Sequence, residues 1–229
     1  MNAVSMKPIA AIETEFPEKF GVPRQSGVVP TLKGRIVFDP AVRSAEIVRG
    51  LEGYSHLWLL WLFSENRHAE WSPTVRPPRL GGNQRMGVFA TRSPYRPNPI
   101  GLSAVKLEKI ELEAPDGPAL IVSGADMVNG TPILDIKPYL PYADCLPDAT
   151  GGFTDSTAFS HLEVTAAPGV LEALPKEIAD RLSALLAQDP RPHYHHDPER
   201  LYGLSFAGYD VRFRVEGSTA TVLSVRKAK

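Results

Sequence analysis

Apolar and polar residues alternate in short stretches through most of this chain, the signature of β-strands with one face buried. Pro8–Glu15, Gly34–Phe38, Leu102–Glu113, Ala119–Ala125 and Ile133–Tyr139 are each of strand length. Pro115-Asp116-Gly117-Pro118 predicts a turn between the third and fourth of them. Ser55–Phe63, which reads SHLWLLWLF, is apolar at nearly every position and predicts a central strand buried on both faces. Ala41–Arg49 predicts a short helix, with Asp39 as its N-cap. Helical spacing is clear in Pro175–Gln188, where Ile178, Leu182, Leu185 and Leu186 share a face. Two more strands follow, Leu201–Val215 and Thr219–Val225, joined through Glu216-Gly217-Ser218.

Many short strands, little helix and no βαβ rhythm predict a mainly β protein of antiparallel, sheet-like or barrel-like architecture. Composition changes after about residue 166, and Tyr142–Ser160 reads as a loosely ordered connection. The division expected from this is a β domain over residues 1–165 and a small α+β domain over 166–229.

Three loops stand out between these elements. Gly21–Gly27 is bounded by glycines and contains Pro23. Glu65–Gln84 is long enough to expect a functional role. Gly87–Ser103 is the most informative, because Pro94, Pro97 and Pro99 stiffen a segment that carries Arg92, Arg96 and Asn98. A stiff backbone holding guanidinium groups suits an anionic or carboxylate-bearing ligand, since the fork is in place before the ligand arrives.

Composition narrows the class. At 229 residues, 43% hydrophobic and 22% charged, the chain reads as soluble and globular. Its longest apolar run, Leu57–Phe63, is far below the roughly 18 residues of a membrane span. No secretory signal pattern opens the chain, and the lone Cys145 fits a reducing compartment, so a cytoplasmic protein is expected. The net charge of −1 conceals an asymmetry. Arg67, Arg76, Arg79, Arg85, Arg92 and Arg96 face a single acid, Glu70, between residues 66 and 106, whereas the stretch from Glu108 to Glu163 is acidic. A basic region on a neutral protein predicts an anionic partner at one face, or pairing within the chain.

PRQ at Pro23–Gln25, SHLW at Ser55–Trp58, GVFATRSP..RPNPIGLS at Gly87–Ser103, D..NGTPILDIKPYLPYAD at Asp126–Asp144 and LAQDPRPHY at Leu186–Tyr194 stand in one order. In that order they resemble the TsaA-like (TrmO) family, over almost the whole chain. The resemblance implies an antiparallel β-barrel with a small C-terminal domain, working as a homodimer. It also implies methyl transfer from S-adenosylmethionine (SAM) to N6 of N6-threonylcarbamoyladenosine at position 37 of tRNA, just 3′ of the anticodon, so that the partner is the anticodon stem-loop. Consistent with a fold unlike the Rossmann methyltransferases, no glycine-rich strand-to-helix turn is present.

The resemblance carries cofactor contact to Pro23, Arg24, Gln25, Ser64, Glu65, Arg92, Leu102, Gly130, Thr131, Pro132 and Ile133. At Ser64-Glu65 the chain departs from the family pattern, which reads His-Gln. Arg92 is the natural partner for the SAM carboxylate. The Gly130–Ile133 turn is expected to read the adenine edge through exposed backbone groups. The acceptor nitrogen is urea-like, so its proton must leave before or during transfer. Candidates for taking it are Asp126, Asp135, Tyr139 and Tyr142, each of which also has a plain structural reading. Contacts to tRNA are expected from Arg76, Arg79 and Arg96, and from Arg191 and Tyr194, which alternatively hold the small domain against the barrel. The cluster His193–His196 lacks metal-site spacing, and no metal is expected. Two alternatives remain beside this reading: a SAM- or RNA-binding module without activity, and a methyltransferase for another acceptor.

Overall fold

The computed structural model describes residues 2–66, 70–77, 80, 84–157, 161–191 and 197–228. In chain order the elements are β1 (Ala10–Thr14), β2 (Lys33–Phe38), β3 (His56–Leu62), β4 (Thr74–Val75), β5 (Met86–Gly87), β6 (Ile100–Glu111), β7 (Ala119–Ser123), β8 (Thr131–Pro138), α1 (Pro141–Asp144), β9 (Glu163–Ala166), α2 (Lys176–Leu186), β10 (Tyr202–Phe206), β11 (Tyr209–Glu216) and β12 (Thr219–Lys227).

Six of these strands close an antiparallel barrel in the order β1-β2-β7-β6-β3-β8. Closure leaves no free edge, and it gives every strand an inside and an outside. Ile12, Ile36, Leu57, Leu59, Leu120, Val122 and Ile133 fill the interior and are fully buried. Burial of each such side chain contributes about 1.5–3 kcal/mol. In β3 burial alternates, with Leu57, Leu59 and Trp61 buried and Trp58, Leu60 and Leu62 only half-buried. The expectation of a strand buried on both faces is therefore corrected. The outward Trp58 packs against Tyr139, ring centroids 5.5 Å apart.

The expected helix over Ala41–Arg49 is also corrected. It is a short 3₁₀ turn at Ala45–Val48, capped by Ser44, whose Oγ accepts from the Glu46 N–H. Asp39 instead accepts from Ala41 N at 2.9 Å and closes a turn.

A second sheet runs β10-β11-β12-β9, with β9 parallel to β12. The single strand expected over Leu201–Val215 is two strands. Ala207 and Gly208 break it with φ of 51° and 77°, the paired left-handed positions of a tight hairpin. Helix α2 buries Leu182, Leu185 and Leu186 against Phe206, Phe213 and Val222 of this sheet. The same core takes Phe16, Val29 and Leu32 from the segment between β1 and β2. The N-terminal segment thus crosses into the second core. The expected division after residue 165 lies inside β9, whose four residues all pair with β12. Among the described residues no helix is long and apolar enough to cross a membrane.

Candidate active site

A cleft of about 1720 Å³ opens at one end of the barrel. Its walls come from the loop around Pro23–Gln25, the end of β3 with Ser64–Asn66, the 89–102 loop, and Phe153–Asp155. Small-molecule sites usually fall near 300–1,000 Å³, so this cleft is larger than a single small molecule needs.

The arginine-bearing loop is held by its own side chains. Arg96 donates to the Thr91 carbonyl at 3.2 Å and lies 6.0 Å from the Phe89 ring centroid. Thr91 Oγ1 donates to the Val88 carbonyl at 2.9 Å, and Phe63 N donates to the Pro99 carbonyl at 2.9 Å, tying the loop to the end of β3. Arg92 is exposed in the cleft, and its guanidinium donates to the Gln25 side-chain carbonyl.

The loop that carries Gln25 is fixed from two sides. Gly124 has a φ of +78° and donates to the Leu32 carbonyl, while Gly27 N donates to Gly124 O at 2.9 Å. A Cβ at position 124 would stand 3.2 Å from the Gly27 backbone, so this close approach favours glycine. From the C-terminal region, the Arg191 carbonyl accepts from Arg24 Nη2 at 3.2 Å. Burial pushes the Arg24 guanidinium below its ordinary value, against the opposing pull of Asp189. Asp189 in turn grips Arg191 through both carboxylate oxygens, at 2.8 and 2.9 Å.

The floor of the cleft is a hydrogen-bond chain. Trp61 Nε1 donates to Ser103 Oγ at 2.9 Å, and Ser103 Oγ donates to Asp126 Oδ1 at 2.6 Å. Ser103 is fully buried, whereas Asp126 keeps partial access to the cleft. Burial pushes the Asp126 carboxyl up to about 6, although Ser103, Arg92 and backbone hydrogen bonds from Ser26 and Asp126 itself all favour the ionised form.

Eight of the expected cofactor residues line the cleft: Pro23, Arg24, Gln25, Ser64, Glu65, Arg92, Leu102 and Thr131. Three do not. Ile133 presents no side chain to the cleft, because it is fully buried in the barrel interior. Gly130 and Pro132 lie beside the cleft, and the N–H groups of Gly130 and Thr131 are committed to Ile12 O and Val128 O. Those two N–H groups are therefore not available to an adenine edge. Lys19, which sequence reasoning missed, reaches the cleft and donates to the Glu65 carbonyl and to Asn66. Nothing local could signal it, since the contact spans 46 residues.

The four proton-acceptor candidates separate cleanly. Asp126 lines the cleft and the other three do not. Asp135 pairs with Lys137 at 2.8 Å, Tyr139 packs on Trp58, and Tyr142 projects from α1, 87% exposed. Among the expected RNA contacts, Arg76 is exposed on the cleft wall. Arg96 braces the 91–96 loop, and Arg191 is held by Asp189 with only 14% of its side chain exposed. Arg79, Tyr194 and the His193–His196 cluster lie outside the described residues. Phe89 and Tyr95 stand exposed in the cleft wall. Among the described residues no three His, Cys, Asp or Glu side chains gather as a metal site would need.

Comparison with known proteins bears on this site. Residues 11–145 match the N-terminal domain of tRNA-methyltransferase O, and residues 161–228 match its C-terminal domain. The chain is 42% identical, over 94% of both chains, to the tRNA (adenine(37)-N6)-methyltransferase of Escherichia coli K12. It is 47% identical to the enzyme of that name from Eikenella corrodens, over 75% of this chain and 97% of the other. The crystal structure of TrmO from Pseudomonas aeruginosa superposes with a TM-score of 0.82 at 35% identity, covering 100% of this chain and 99% of that one.

Proposed function

Because the chain belongs to the tRNA-methyltransferase O family, we propose that it methylates N6 of adenosine 37 in tRNA, with SAM as donor and threonylcarbamoylated adenosine as acceptor. The observation that carries this reading is the pairing, in one cleft, of an exposed guanidinium steadied by an amide with a partly buried carboxylate. The residues present fit SAM. Arg92 with Gln25 suits its carboxylate, Leu102 offers an apolar wall, and Arg24 holds the loop that would close over it. SAM supplies a methyl group on a sulfonium leaving group.

The protein's own part is binding, alignment and proton removal. Holding acceptor and donor in line converts an encounter into a single-molecule step, which is worth several orders of magnitude. The threonyl carboxylate gives the acceptor an anionic handle that plain adenosine lacks, and the exposed ammonium of Lys19 at the cleft supports its capture. An unmodified acceptor forgoes that charge-assisted contact, a loss of about 1.5–3 kcal/mol. We place the protein in the cytoplasm, with its tRNA substrate, and as a homodimer, the commonest closed symmetry.

The test is nucleoside mass analysis of tRNA before and after incubation with protein and SAM. Methylated threonylcarbamoyladenosine is the expected product. Binding without any methylated product would leave a non-catalytic module. Equal methylation of tRNA with and without the threonylcarbamoyl group would overturn the acceptor assignment, and sedimentation as a monomer would overturn the dimer.

A further inference from the structure

We propose that Asp126 is the group that takes the N6 proton, and that Ser103 and Trp61 are positioning residues that hold its carboxylate toward the cleft. This rests on the methyl-transfer reading above. Three observations converge on it. Asp126 alone among the four candidate acids lines the cleft, on the same wall as Met127, Val128 and Thr131. It is reached by a directed chain of donors, Trp61 Nε1 to Ser103 Oγ and Ser103 Oγ to Asp126 Oδ1, at 2.9 and 2.6 Å. Ser103 is fully buried and Trp61 nearly so, so neither donor is free to swing away. One carboxylate oxygen is thereby anchored, which fixes where the group can meet a substrate proton.

The chemistry needs such a group. The nitrogen lone pair of a urea-like N–H is spread into the carbonyl and the purine, and is a poor nucleophile until the proton departs. As the N6–carbon bond forms, the carbon–sulfur bond breaks and its electron pair goes to sulfur. The N6–H bond breaks, its electron pair stays on nitrogen, and the proton goes to the Asp126 carboxylate. Atoms and charge balance with no further reactant, since the cationic donor becomes a neutral thioether and the carboxylate becomes an acid.

Asp126 is also tuned for the task. Burial raises its proton affinity above that of an ordinary carboxylate, while Ser103, the Ser26 backbone and the Arg92 guanidinium keep it ionised near neutrality. Those are the groups that face it: Arg92 from the 89–102 loop, Ser26 from the Gly21–Gly27 loop, and Ser103 from β6. Ser103 donates to the charged form, so its loss makes the proton harder to release.

The experiment is a pH profile of single-turnover methylation, with SAM binding measured separately by calorimetry. In the wild-type protein the rate is expected to fall as pH drops through about 6. Asp126→Asn is expected to lose roughly 10²- to 10⁴-fold in rate with SAM affinity changed less than threefold. Ser103→Ala is expected to move the acid limb up by about one pH unit. Three results overturn the proposal: Asp126→Asn retaining its rate within tenfold, Asp126→Asn losing SAM binding together with rate, or Ser103→Ala leaving the limb where it was. A wild-type protein that methylates no tRNA fails at an earlier step and overturns the methyl-transfer reading itself.

Discussion

The indole of Trp61 lies over Gly101, so closely that a Cβ at position 101 would stand 2.2 Å from ring atom Cε2. The two residues face each other across the β3–β6 pairing. Gly101 is therefore what lets the indole lie flat enough for its N–H to reach Ser103. We expect Gly101→Ala to push the ring aside, at a cost of about 1–3 kcal/mol from overpacking. Urea unfolding gives the cost. Unchanged stability together with unchanged methylation would show that the ring has room to move.

Arg92 and Gln25 belong to different loops and meet only in the fold. Loss of a charge-assisted contact to the SAM carboxylate costs about 1.5–3 kcal/mol, so Arg92→Ala is expected to weaken SAM binding at least tenfold. Gln25→Ala, which removes only the brace, is expected to weaken it less. Calorimetry that finds Arg92→Ala binding SAM normally would take Arg92 out of the site.

Salt dependence separates cations that meet RNA from cations that hold the protein together. Each phosphate contact contributes about 0.7–0.9 to the log–log slope of affinity against salt. Replacing Arg76 and Arg79 together is expected to flatten the slope for tRNA by roughly 1.5. Arg191→Ala is expected to leave the slope alone and to cost about 2 kcal/mol of stability, because it deprives Asp189 of its bidentate partner. A flattened slope in Arg191→Ala would reverse this assignment.

Asp126 sets a pH dependence of stability opposite in sign to that of most carboxylates. Its folded value of about 6 lies above the unfolded value near 3.9, so the folded state holds the proton more tightly. The protein consequently loses stability as pH rises from about 4 to 6, and regains it as pH falls. Asp126→Asn removes that penalty, and at pH 8 it is expected to be more stable than the wild type by about 3 kcal/mol, with the two converging near pH 4. Thermal unfolding across this range is the measurement, and parallel curves would contradict it.

The sequence by itself determined the strands that build the barrel, the amphipathic face of α2 and the position of the stiff arginine loop. Each is a local property, written in period-2 alternation, in Leu182, Leu185 and Leu186 at helical spacing, or in Pro94, Pro97 and Pro99. Its long motifs also determined the family, and with it eight of the residues that line the cleft.

Tertiary structure decided which of these residues act together. Closure of the barrel gave β3 one inward face, which the apolar run SHLWLLWLF does not reveal. The β3–β6 register brought Trp61 to Ser103 across 42 residues, and the fold brought Ser103 to Asp126 across 23 more. That placed one of the four candidates, Asp126, in the cleft, although their local sequences look equally suitable. Tertiary contacts likewise committed Arg96 and Arg191 to internal partners, though in sequence they read like the exposed Arg76. Periodicity records how a residue sits relative to its own neighbours. Hydrogen bonding and burial depend on which distant strand or loop arrives beside it, and only chain closure fixes that.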